Sequence, residues 1–416
     1  MSEPAITTAA THPGKAPSSV GESPSGERGL LWALLFGNFV IGTGILLPAG
    51  MLSDIATAFD VSIPTAGALL LVSGVVVAIG APLIAAVTSH IDRRSILVFS
   101  LVLYAVCHAI SAVAPTFEIL LAARFALAIS AAIFTPQAAA TLSALLPPER
   151  RSAAITMVFV GWSLATVGGM PLGGFVAHVW GWQAAFAIVA VMSGAAALVV
   201  WRAVPPAVVI APLTLAIWKR VLTHPAMLLV LLVTVLNGTG QFTFFTYLNP
   251  SLKASLLADV ALITGVLAWY GVSATIGNMV VSRFITGLGA SRTSHLTLLS
   301  MSIGMIIWGL GADMLWVVLI AASLWGVGTF AANSIQQARL AAIDPGVTSA
   351  SVALNTSAIY LGQAAGSGLG GALINAHALA YLPWAGAAIL LAAVGLSLLA
   401  QRYEQAPATA RHDEIL

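Results

Sequence analysis

Arg124 is the residue whose position first calls for a chemical explanation. It falls inside the apolar stretch 117–146, about two helical turns from one end. A charge inside hydrocarbon costs about 2.5–3.5 kcal/mol or more, and such a residue marks function unless it snorkels to the headgroups. His108, inside 95–114, is the one mid-span side chain that titrates near neutrality, though a lone His also serves as a hydrogen-bonded packing residue. Asp92-Arg93-Arg94 sits in the short gap before that stretch, where its carboxylate favours a helix amino terminus by about 0.3–1 kcal/mol. The remaining candidates are uncharged. Trp325, Thr329, Asn333 and Gln336 recur at i, i+4, i+8 and i+11, and Asn237, Gln241 and Phe245 at i, i+4 and i+8, each forming one helical stripe. Asn38 is the strongest polar candidate of the first stretch, with Trp162, Trp269, Asn355 and Gln363 as a second tier. Amides and aromatics together suit a neutral or weakly polar solute; the bland alternative is hydrogen bonding between helices, worth about 0.6 kcal/mol on average.

Catalytic chemistry finds little support. None of the eight histidines begins a His-Glu-x-x-His pattern, and the acids Asp54, Glu118, Asp259 and Asp313 all fall at the ends of apolar stretches. An intramembrane protease or lipid transferase needs converging nucleophiles, acids or metal ligands, so that class is remote. The sequence calls for no metal, cofactor or nucleic acid. Cys107 is the single cysteine, which excludes an internal disulfide.

The elements that carry these residues follow from composition. Of 416 residues, 59% are hydrophobic and only 7% charged, against about 25% charged in a soluble domain. Runs such as 69–84 and 385–399 lack the alternation of barrel strands, so the spans are helices. Apolar length, with charge, Pro and Gly as punctuation, predicts twelve: 30–51, 64–88, 95–114, 117–146, 152–178, 183–203, 225–249, 261–286, 293–312, 314–340, 349–374 and 382–400. Residues 1–29 read as a disordered tail, 204–224 as a linker with a short amphipathic helix around Trp218-Lys219-Arg220, and 401–416 as a second tail. With both termini cytoplasmic, the outer loops hold only Lys253, and every other Lys or Arg except Arg124 falls inside, as the positive-inside rule demands.

An ungapped repeat supports the layout. An offset of 197 carries Gly169-Met-Pro-Leu-Gly173-Gly174 onto Gly366-Ser-Gly-Leu-Gly370-Gly371, Gly80 onto Gly277, and Pro148 onto Pro345. The chain is therefore expected to contain a six-helix bundle at 30–203 and another at 225–400. An even number of spans per half orients them alike, with a solute site between them near the midplane.

Arg124, Asp92-Arg93-Arg94 and the fifth-span run Gly161, Gly168, Gly169, Pro171, Gly173 and Gly174 resemble the major facilitator superfamily. Within it they resemble the twelve-helix drug:proton antiporters, specifically the branch exporting arabinose, nucleosides and chloramphenicol. The resemblance spans roughly residues 30–400. It departs from the pattern at Thr88 (Gly expected), at Leu127 and Ala128 (Gln and Gly), and at Ile45 (Glu). It implies an all-α, twelve-helix major facilitator fold and a monomer in a bacterial inner membrane, exporting a small solute against protons. It also implies a central cavity lined by the first, fourth, seventh and tenth helices. Asp92 would latch onto the start of the eleventh helix near 348–350, and Arg124 would serve proton movement or substrate charge. The glycines, with Gly366 and Gly370, would pack helices closely. The missing intramembrane acid keeps an uncoupled facilitator open as a second reading.

Overall fold

The computed structural model describes residues 24–88, 91–208 and 215–405. The expected tails at 1–23 and 406–416, and linker residues 209–214, lie outside them. The described chain is helical throughout. In order it forms α1 (Pro24–Gly50), α2 (Leu52–Ala58), α3 (Ile63–Val87), α4 (Arg93–Ala112), α5 (Phe117–Leu145), α6 (Pro148–Leu164), α7 (Met170–Trp180), α8 (Trp182–Ala203) and α9 (Leu215–Leu222). There follow α10 (Pro225–Phe245), α11 (Leu248–Leu256), α12 (Val260–Leu288), α13 (Ala290–Leu310), α14 (Leu315–Ile343), α15 (Thr348–Asn375) and α16 (Leu382–Gln405).

These helices give the twelve spans, α6 and α7 together forming the fifth. Eleven are long and apolar enough to cross a membrane by length and composition. The remaining one, α15, eleventh in order, has the length, 28 residues, but carries Asn355, Gln363 and many Ser and Gly, because it faces protein and the central cavity. Four boundaries differ from expectation. α1 starts at Pro24, inside the expected tail. The seventh span breaks after Phe245 and resumes as α11. The fifth contains a π-helical turn, Ala165–Gly169, just before Pro171, which has no N–H for the Val167 carbonyl and so disturbs α-helical winding. α16 continues to Gln405 and so brings Glu404 into a span, where no acid was expected.

The halves repeat one packing scheme. α1 packs on α6–α7 and α8, α4 on α8 and α5, and α3 on α5. In the second half α10 packs on α15 and α16, α13 on α16 and α14, and α12 on α14. Each pair maps onto its counterpart six spans later. Between the halves α3 packs against α15, and α12 against α7 and the π turn, again equivalent pairs. The glycine register underlies this. A Cβ on Gly169, Gly173 or Gly174 would meet Thr43, Leu47 or Gly50 of α1. One on Gly366, Gly370 or Gly371 would meet α10 and the turn after it at Thr239, Thr243 or Tyr247. Small residues thus let paired backbones approach at positions 197 apart.

Arg93, Arg94, Arg150, Arg151, Arg202, Arg220, Arg283, Arg292 and Arg339 gather at one end of the bundles, here called the basic face. α9 docks there: Val221 is buried with Met227, Val230, Leu340 and Val347, and Arg220 pairs with Asp344 at 2.7 Å. Lys253 lies at the opposite, far face, on α11.

Candidate functional site

A cavity of about 230 Å³ lies between the halves. Its lining runs from Leu46 and Thr166 to Ile155 on α6 and Gln337 on α14, so it reaches toward the basic face. At the far face the halves meet: Asn249 donates to the Gly50 carbonyl at 2.8 Å, and Ser53 donates to Asn249 at 3.1 Å. Lys253 and Asp54 lie 3.8 Å apart beside them.

The two walls differ chemically. The second half supplies amides: Asn237 and Gln241 from α10, Asn278 from α12, Asn333 and Gln337 from α14, and Gln363 from α15. The first half supplies Ile155, Phe159, Val160 and Trp162, with hydroxyls from Thr135, Ser163 and Thr166. Among the described lining residues there is no Asp, Glu, Lys, Arg or His. Gln241 donates to Asn237 at 3.1 Å, holding two amides in register one turn apart. Tyr270 and Thr329 share a hydroxyl–hydroxyl bond of 2.8 Å. Trp162 and Tyr360 meet edge to face across the halves, 6.3 Å between ring centroids.

Of the expected cavity residues, Asn237, Gln241, Phe245, Thr329 and Asn333 line it, as do second-tier Trp162 and Gln363. Asn38 does not: it is buried, donates to the Val158 carbonyl at 3.1 Å and accepts from Thr135 at 2.8 Å, tying α1 to α6 and α5. Trp325 packs in an aromatic cluster, 4.6 Å from the Tyr270 ring and 5.4 Å from Phe244. Gln336 turns to the bundle interior, donating to Ser294 and accepting from Arg339. Asn355 accepts from Thr234, and half-exposed Trp269 donates to Ser323 on the outside of the bundle. Sequence reasoning missed Tyr270, Asn278, Gln337 and Tyr360; Gln337 carries the signal of sitting at i+4 from Asn333.

The charged candidates sit behind the cavity rather than in it. Arg124 is fully buried and donates to the Gly44 and Ile45 carbonyls of α1 at 2.7 and 2.9 Å. It does not snorkel. His108 is also fully buried; its Nδ1 lies 3.0 Å from the Tyr104 carbonyl, and its ring packs against Tyr104 and Phe186. A Cβ on Gly44 would meet both Tyr104 and His108, so Arg124 and His108 converge on the same turn of α1. Asp92 does not reach the start of α15. It caps α4, accepting from the Ser95 backbone at 3.0 Å, and accepts from the Val208 backbone at 3.0 Å. The start of α15 has its own carboxylate, Asp344, which accepts from Gly346 N at 3.0 Å. Burial alone would raise the Asp92 pKa, but the hydrogen bonds from Ser95, Val208 and Ala207 outweigh it and hold the carboxyl below its ordinary value. Arg93 donates to Gln137 and to the Thr88 carbonyl, and Arg94 lies over the Trp201 ring at 4.8 Å. Glu404 pairs with buried Arg339 at 2.9 Å, a clamp joining α14 to α16.

A sequence profile described as Major Facilitator Superfamily matches residues 34–338. The chain belongs to that superfamily. Among its curated relatives, the inner membrane transport protein YdhP of Escherichia coli (strain K12) is 30% identical over 374 residues, covering 89% of this chain and 94% of that one. A protein named "Probable sugar efflux transporter" in Helicobacter pylori (strain G27) is 24% identical over 356 residues, covering 86% and 91%. Among solved structures, a bacterial homolog of the human lysosomal transporter Spinster, inward-facing and unoccupied, superposes with a TM-score of 0.71 at 17% identity. It covers 93% of this chain and 100% of that one, which shows the shared fold. Expected fold and family thus hold, and the chain is a multi-pass membrane transporter of the superfamily.

Proposed function

We propose that the protein exports a small neutral or amphiphilic solute, of the drug, sugar or nucleoside class, by alternating access across a bacterial inner membrane. The observation that carries this reading is the uncharged cavity between equivalent halves, amide-lined on one wall and largely apolar on the other. An ion entering it would leave water without a counter-charge, which is costly; a neutral solute can exchange hydrogen bonds with the amides and rest its apolar face on Trp162 and Phe159. The relatives named for sugar efflux and inner-membrane transport support export and location. The basic face is then cytoplasmic, with both termini. The protein acts as a monomer.

Proton antiport is assigned to His108 and Arg124. Both bear on the turn of α1 that precedes Leu46, a cavity residue. Burial and Arg124 both oppose a proton on His108 while the far face is closed. The ring takes one only when that face opens and water reaches it, and the repulsion between the two charges then acts on α1. Asp92, Arg93 and Arg94 hold the basic-face loop and the linker during this movement. The second reading, an uncoupled facilitator, is favoured by the lack of any acid among the described cavity residues.

The test is reconstitution into liposomes with an imposed pH gradient, using chloramphenicol, pentoses and nucleosides while internal pH is recorded. Antiport gives solute flux that follows the gradient and moves protons the other way. Flux indifferent to the gradient identifies the facilitator. No flux of any of these solutes overturns the proposed substrate class.

A further inference from the structure

The far-face closure depends on a residue that the repeat does not require. α1 ends at Gly50, and the last carbonyls of any helix lack donors of their own. Gly50 receives one from the other half, the Asn249 Nδ2 at 2.8 Å. The same side chain accepts from Ser53 Oγ at 3.1 Å, just past the α1–α2 break. One amide therefore staples both sides of that break. Asn249 is 3% exposed, so both bonds form away from water, where an unmatched amide is costly. Lys253 and Asp54 add a rim ion pair at 3.8 Å, but both side chains are part-exposed and such pairs contribute little.

The offset of 197 shows what is specific here. It places Gly50 opposite Tyr247, the turn between α10 and α11, so both halves break their leading span at the same point. It places Asn249 opposite Leu52, which is fully buried and can neither donate nor accept. The break is common to both halves; the staple runs in one direction only.

We propose that Asn249 is the far-face latch, a positioning residue that holds α11 against the α1–α2 junction and sets the balance between the two access states. This rests on the alternating-access reading above. When the far face opens, α11 must part from α1, and Asn249 loses both partners together. With that side chain removed, little distinguishes closed from open at this seam, so the far-face-open population rises. Two buried hydrogen bonds of ordinary strength correspond to a shift of about tenfold.

The test uses the full-length protein in nanodiscs with Cys107→Ser, so that one introduced thiol reports. Leu267→Cys probes the far-face seam, since Leu267 is buried and lines the small pocket beside Asn249. Ser334→Cys probes the basic-face mouth. Reaction with a polar maleimide is timed in Asn249→Ala and in Asn249→Asp, which keeps the shape but cannot donate to Gly50. The expected result is about tenfold faster labelling at 267 with slower labelling at 334 in both variants. Ser53→Ala, which removes one partner only, gives a smaller shift in the same sense and serves if Asn249→Ala does not fold. Unchanged rates at 267 in folded variants overturn the latch and leave alternating access standing. Faster labelling at 267 with no change at 334 overturns alternating access itself, because the seam would then loosen without exchange of access.

Discussion

Arg124 donates to the Gly44 carbonyl at 2.7 Å, and Gly44 lies four residues before Pro48 within the same helix. Proline has no N–H, so the carbonyl four residues earlier loses its helical donor. Arg124 supplies the replacement from α5, and its second arm takes the Ile45 carbonyl at 2.9 Å. A proline kink in a membrane helix is tolerated when a neighbour re-satisfies the freed group in this way. Arg124→Leu is therefore expected to destabilise the protein by roughly 3 kcal/mol, the scale of two charge-assisted hydrogen bonds. Pro48→Ala restores an N–H and should recover about 1 kcal/mol in that background while changing little when Arg124 is present. Thermal unfolding of the four proteins closes the cycle; an interaction energy near zero would mean that the Gly44 carbonyl is not the shared partner.

Glycines 161 and 168 lie on the same span and should respond oppositely to alanine. A Cβ on Gly161 would stand 2.6 Å from the Leu35 carbonyl oxygen and 2.8 Å from the Phe39 nitrogen, both backbone atoms that cannot swing aside. Gly161→Ala is expected to push α6 off α1 and cost about 1–3 kcal/mol, the usual penalty of overpacking. Gly168 has nothing within 4 Å of such an atom, although it lies in the π turn. Gly168→Ala should be neutral or stabilise by about 0.5–1 kcal/mol through lower backbone entropy. Unfolding temperatures in one detergent decide the contrast, and equal losses at both positions would refute it.

The spans and their pairing were legible because membrane helices advertise themselves by apolar length and basic loops, and because close helix pairs need glycine at fixed intervals. Arg124 was legible for the same reason, and Pro48, four residues after Gly44, was the unused clue to its partner. The rotational phase of α14 was not. Its residues at 329, 330, 333, 334 and 337 face the cavity, whereas Trp325 and Gln336, nearly in line with each other at about 100° per residue, face the protein interior. Both faces of α14 carry polar residues, so polarity does not separate cavity from core. Two adjacent glutamines, 336 and 337, then carry opposite roles. The Asp92 partner was also hidden, because the Val208 backbone carries no sequence signature.

That phase error gives a prediction on the two glutamines. Gln337→Ala removes a cavity amide without disturbing the buried network, so it should raise KM for a hydrogen-bonding solute by about threefold, one lost bond at about 0.7 kcal/mol, with unchanged unfolding temperature. Gln336→Ala leaves Ser294 and Arg339 each short of a partner and should destabilise by about 1–3 kcal/mol with little effect on KM. Solute uptake into inverted vesicles together with thermal unfolding separates the two, and a KM effect confined to position 336 would reverse the assignment.

Asp92 predicts an acid limb in stability. Its carboxylate caps α4 and holds Val208 of the linker, and these bonds keep its pKa below the ordinary value despite partial burial. A group depressed in the folded state contributes stability above its unfolded pKa, about 3.9, and loses it as pH falls through the lower folded value. Between neutrality and about pH 5 the wild type should therefore be more stable than Asp92→Asn by a constant margin, since Asn keeps a cap but loses the charge. Below about pH 4 the margin should shrink, because the wild-type carboxyl gains its proton while Asn is unaffected. Unfolding temperatures of both proteins from pH 7 to pH 3 measure it. A margin that stays constant to the lowest pH would show that the charge on Asp92 contributes nothing to holding the loop and linker together.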